Sequence, residues 1–164
     1  MANPVSLIDP LGLFTQQQLQ NIIYNETASL SGPGIDAASV AIAYVTQNRS
    51  DAGINNGVAS DTLTQAAQNA IQNGVPAAVE AYNRAAAAAA KAINCPGNDP
   101  TGGALHFNLR GNASVGPWLG LPAYPLLLQF GPFNNSYPTI GNPNVPPSQQ
   151  LPAIGVYINI YGGR

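Results

Sequence analysis

Charged side chains are the scarcest feature of this chain. Among 164 residues, Lys and Arg number 5 and Asp and Glu number 7, a charged fraction of 7%, where roughly a quarter is usual. Solubility therefore rests on Asn, Gln, Ser and Thr. A net charge of −2 with no basic run argues against a protein that tracks a nucleic-acid backbone, because that affinity is built from clustered Lys and Arg. A neutral polymer such as a glycan suits the composition better. The single cysteine, Cys95, cannot close an internal disulfide. One Cys and one His, His106, are too few ligands for zinc, so neither a metal nor a cofactor is expected. No strongly apolar run is long enough to span a membrane. The opening Met1 to Pro10 lacks the positive, apolar pattern of a secretory signal.

The length fits one domain, expected as an irregular arm over 1–14, a helical lobe over 15–95 and a β and loop region over 96–164. Thr15 is a suitable N-cap for a first helix, Gln16 to Ser29, which stops at Ser31-Gly32-Pro33-Gly34. Asp36 can cap a second, Ala37 to Arg49. Ser60 or Asp61 can cap a third, Thr62 to Gln72, with Leu63, Ala66, Ala67, Ala70 and Ile71 as its buried side. Pro76 opens a fourth that runs to about Ile93. Glu80 and Arg84, four apart on it, predict an exposed ion pair. Most of the 15 prolines lie past residue 95, which excludes long helices there. Short strands are expected at Ala104 to Leu109, Leu126 to Phe130 and Gly155 to Tyr161, with a long Pro/Asn loop over 131–152. In the last strand Val156, Ile158 and Ile160 share one face, and Tyr157, Asn159 and Tyr161 the other.

Chemistry concentrates at one position. Leu19, Ile22, Ile23 and Leu30 recur at the three- and four-residue steps that line up one helix face, and Glu26, one of two glutamates, falls on that face. A carboxyl against an apolar wall loses hydration, its pKa rises, and it can serve as a general acid. The competing reading is a structural acid neutralised by an arginine or by backbone amides. Arg49 ends the apolar stripe of the second helix and is one such partner; its alternatives are Asp51 or a carbonyl at a helix end. A Cys95/His106 hydrolase is disfavoured because Cys95 follows a helix C-terminus, where the dipole opposes a thiolate. No serine-nucleophile or phosphate-loop signature is present.

The order Ile-Ile-Tyr-x-Glu at 22–26, Ala-Ile-Ala-Tyr-Val-Thr-Gln-Asn-Arg at 41–49, an Ala-rich helix, and Asp-Pro-Thr-Gly-Gly-Ala-Leu-x-Phe at 99–107 resembles the bacterial cell-wall hydrolases that include the spore-cortex lytic enzymes. The resemblance spans Ile22 to Asn108, with a weaker echo at Ile154 to Ile158. It implies an α+β, lysozyme-like fold and cleavage of peptidoglycan glycan strands by a lytic transglycosylase or muramidase, with Glu26 as the catalytic acid/base. It also implies that Arg49 is structural and that Thr101, Gly102, Gly103, His106 and Asn108 form one wall of the substrate groove. The chain departs from that family at His106, where an aromatic is usual, and at Tyr157, where a His is usual. Peptidoglycan as substrate implies action outside the cytoplasm, with an immunity or delivery protein as a further partner. Two rivals stay open: a catalytically silent glycan-binding protein on the same scaffold, and a structural or immunity protein that docks a protein partner.

Overall fold

The structure is a computed structural model that describes residues 13–54, 56–111, 116–119 and 123–162. The arm expected over 1–14 lies outside these apart from Leu13 and Phe14. Helix α1 (Gln16–Thr27) starts at Thr15, whose hydroxyl accepts the Gln18 N–H while the Gln18 side chain accepts the Thr15 N–H. Two otherwise orphaned donors are satisfied reciprocally in this way. Its apolar stripe, Leu19, Ile22 and Ile23, has no solvent exposure.

Strand β1 (Leu30–Ser31) follows. Then comes α2 (Ile35–Asp51), the most enclosed helix, with Ala38, Ala41, Ile42 and Val45 fully buried. The third helix, α3 (Gln65–Gln72), begins at a Thr64 cap, three residues later than expected. None of its residues is buried, so the predicted interior face is only a partly covered edge: Ala67 and Ile71 rest against the core from outside. Helix α4 (Pro76–Asn94) has proline in its first turn and lays Ala81, Ala85, Ala88, Ala89 and Ala92 against α1 and α2. The alanines thus serve as a packing face that lets helices approach closely, as well as being strong helix formers. The expected Glu80–Arg84 ion pair does not form. Arg84 Nη2 instead donates to the Thr27 carbonyl at the end of α1, 3.3 Å away, and no carboxylate among the described residues lies within ion-pair distance of it.

The sheet is antiparallel, in the order β1, β3 (Leu126–Asn135), β4 (Ile154–Tyr161), β2 (His106–Arg110). Val156, Ile158 and Ile160 face the helices and are fully buried, as their alternation predicts. Phe133 joins them from β3. The loop expected from residue 131 is corrected here: β3 continues to Asn135 across Pro132, because a register shift between Phe130 and Phe133 absorbs the proline. Gly131 is required at the shift. Its φ is +119°, and a Cβ there would stand 2.7 Å from the Val156 carbonyl oxygen. Residues 136–153 then fold back along the sheet end, with Leu151 accepting from Thr139 and Ala153 from Asn135. The class is α+β, four helices on a small curled antiparallel sheet.

Candidate active site

Glu26 lies one residue before the last of α1, half-buried, on the rim of an open groove of about 530 Å³. The same helix holds the facing loop. Gln18 Nε2 donates to Asp61 Oδ2, Asn21 Nδ2 to the Asp61 carbonyl, and Asn25 Nδ2 to the Ser60 and Thr62 carbonyls, all at 2.8–3.2 Å. These residues recur at helical spacing, so one face of α1 grips four consecutive loop positions, the last of them at Glu26 itself. There the Ala59 N–H donates to Oε1 at 2.9 Å. Oε2 has no protein donor among the described residues. Burial raises the Glu26 pKa, and the single Ala59 hydrogen bond opposes that rise.

Arg49 does not reach Glu26. It is 8% exposed, and its Nη1 donates to the Leu105 carbonyl at 2.7 Å and approaches His106 Nδ1 at 3.4 Å. Its Nη2 donates to the Asn56 carbonyl, and lies 3.4 Å from Asn56 Oδ1. The partners are thus carbonyls, but of Leu105 ahead of β2 and of the loop residue Asn56 rather than of a helix end or Asp51, and Glu26 keeps its raised pKa.

Asn48, the neighbour of Arg49, donates from Nδ2 to Asp99 Oδ2 (2.9 Å) and to the Ala104 carbonyl (3.1 Å). Asp99 organises the turn ahead of β2. It also accepts the Thr101 N–H (2.8 Å) and hydroxyl (2.6 Å) and the Gly103 N–H (2.9 Å). The Asn48-Arg49 pair and the 99–105 segment thus form one clamp that fixes where β2 starts. Burial by itself would raise the Asp99 pKa, but these four hydrogen bonds prevail and hold it below the usual carboxylate value. The sign follows from that depression. Its stabilising contribution is complete above the unfolded-state pKa, about 3.9, and is lost as pH falls through the lower folded-state value. We expect Asp99→Ala to lower stability by about 2 kcal/mol near neutral pH, and the difference from wild type to shrink in acid. Urea melts at several pH values check this.

The opposite wall of the groove is β2, contributing Phe107, Asn108, Leu109 and Arg110, with Trp118, Gln149 and Leu151. Asn108 is held by a ladder of amides across the sheet: Gln129 Nε2 donates to Asn159 Oδ1, Asn159 Nδ2 to Asn108 Oδ1, and Asn108 Nδ2 to the Tyr161 hydroxyl. His106 lies in a recess next to the groove, with Arg49, Gly57, Phe107 and Trp118. Burial lowers its pKa, and the Arg49 charge adds to this, which favours the neutral ring. Because Arg49 can only donate, this 3.4 Å approach is a hydrogen bond in the tautomer that carries its proton on Nε2.

Of the residues expected to form the site, Glu26 and Asn108 meet across the groove, and His106 adjoins it. Thr101 is 2% exposed and committed to Asp99. Gly102 and Gly103, at φ +63° and +88°, turn the chain there. These three support the wall from behind and are not among the residues that line the groove. Trp118 and Tyr124 were not foreseen. Trp118 stacks on His106 (5.1 Å, 5°) and meets Tyr161 edge-on (5.5 Å), while Tyr124 tilts over His106 (4.6 Å). The available signal was that Trp118 is the only tryptophan in the chain.

Fold and site together define an α+β domain with one carboxylic acid facing an aromatic and amide wall. No family model, curated protein or solved structure matches the chain.

Proposed function

We propose that this protein is a peptidoglycan-degrading enzyme on a lysozyme-like scaffold that cleaves the glycan strand with Glu26 as its acid/base. The observation that carries this reading is the Glu26 carboxyl itself: half-buried, raised in pKa, unpaired with Arg49, and set on a groove with no donor to Oε2 among the described residues. In the proposed reaction, protonated Glu26 gives its proton to the oxygen bridging two amino sugars as the C1–O bond breaks. The carboxylate then takes the proton of the C6 hydroxyl of the same sugar, whose oxygen closes on C1 to form a 1,6-anhydro ring. One group serves both steps. Hydrolytic glycosidases use a second carboxylate on the far side of the bond, and among the described residues lining the groove Glu26 is the only acid. That favours the lytic transglycosylase route over a muramidase. Asn108, its amide fixed by Asn159 and Tyr161, keeps one N–H and one lone pair for sugar hydroxyls, and Trp118 offers an apolar face to a ring. Because the substrate lies outside the cytoplasm, the site of action does too, with an immunity or delivery protein as a further partner.

The test is digestion of purified sacculi with mass spectrometry of released fragments. Anhydro-muropeptides support the transglycosylase reading, and reducing ends indicate hydrolysis. Protein that pellets with sacculi but releases nothing is a silent glycan binder. Trp118→Ala is expected to weaken glycan binding up to about tenfold, the upper range for one aromatic contact, with KM rising more than kcat falls. Initial rates across substrate concentration check it.

A further inference from the structure

The recess beside the groove holds a cation, Arg49, with no carboxylate within ion-pair distance among the described residues. Arg49 is buried, and each of its hydrogen-bond contacts among the described residues is neutral: two carbonyls, one amide oxygen and one imidazole nitrogen. Its Nε is buried with no hydrogen-bond partner among the described residues. Two of the four contacts are long, at 3.4 Å, and are readily exchanged for a better acceptor. A buried guanidinium in this state is stabilised strongly by an anion, and its flat fork matches a carboxylate. The recess it lines, about 80 Å³ with Gly57, His106, Phe107 and Trp118, suits a substituent more than a sugar ring. Gly57 keeps it open, since a Cβ there would come 3.1 Å from Arg49 Nη2. Gly57, Phe107 and Trp118 also line the groove of Glu26, so recess and groove share a wall.

We infer that this recess is a subsite for a carboxylate carried on the sugar bound in the groove, and specifically for the free lactyl carboxylate of muramic acid. This rests on the glycan-strand reading above. In intact peptidoglycan that carboxyl is tied up as the amide to the stem peptide. The subsite therefore selects strands already stripped of peptide, and the reaction that supplies them is hydrolysis of the amide between lactyl group and peptide. Arg110 also faces the groove, but it is engaged with the Ser148 carbonyl and lies outside the recess.

The single tryptophan of the chain sits on this recess, so its fluorescence reports occupancy directly. The experiment titrates the Glu26→Gln protein with short strands of alternating N-acetylglucosamine and N-acetylmuramic acid. One set carries free lactyl carboxylates and the other the isosteric carboxamides. The free acid is expected to bind about tenfold tighter or better, with the preference retained in Arg110→Gln and lost in Arg49→Met. Equal affinity for acid and carboxamide, or loss of the preference in Arg110→Gln, overturns the subsite while leaving the glycan reading intact. If neither strand binds, the glycan reading falls and the subsite falls with it.

Discussion

Glu26→Gln is expected to abolish strand cleavage, with a loss of about a thousandfold or more, within the span typical of a general acid/base group, while leaving the fold in place. The amide keeps an oxygen for the Ala59 N–H, the bond Glu26 accepts at 2.9 Å, so the loop stays attached and the melting temperature stays close to wild type. What disappears is the transferable proton. Fragment release from sacculi and thermal melts of both proteins separate the two effects. An equal loss of melting temperature and activity would make Glu26 a structural acid and sink its catalytic role. The pH profile follows from the same site. Burial raises the pKa and thereby extends the protonated form toward neutrality. Activity that depends on that proton is retained below the raised value and declines as pH climbs through it.

The largest effect on stability is expected at Phe133→Ala. The ring is 1% exposed, sits opposite Val156 in the sheet, and belongs to the cluster that joins α1, α2, α4 and β4. Truncation leaves a cavity that this packing cannot collapse into, at a loss of about 3–5 kcal/mol. Against a total of about 5–15 kcal/mol for a folded domain, much of the population would unfold at physiological temperature. Chemical denaturation reads the shift. A change below about 1 kcal/mol would mean that the β3 register around Pro132 differs from that described.

The helices were readable because their signals are local. Thr15 with Gln18, Pro76 at a first turn, and the three- and four-residue steps of Leu19, Ile22 and Ile23 each act within one or two turns of chain. Glu26 was visible for the same reason, as an acid out of place on an apolar stripe. The segment that Asn48 and Arg49 clamp was visible as a string of residues, but not its mechanics: Thr101 to Gly103 were expected on the groove and instead brace β2 through Asp99. Strand β3 was cut short because a proline ordinarily ends a strand, and only the partner strand shows that a shifted register accommodates it. Trp118 reaches His106 across a stretch with no periodicity, and such contacts are set by tertiary packing alone. The third helix misled because alanine at helical spacing marks a face without saying whether anything covers it.

The grip of α1 on the loop at 59–62 has a consequence for where this protein can work. Its side-chain donors, Gln18, Asn21 and Asn25, are uncharged amides, and most of their acceptors are carbonyl groups. Dissolved ions weaken attraction between exposed charges within roughly 10 Å at 0.1 M, yet have little to act on here. The distance between the acid and its facing loop is thus fixed by bonds that brine and fresh water leave alike, and the mouth of the groove keeps its shape across ionic strengths that would loosen one built from surface ion pairs.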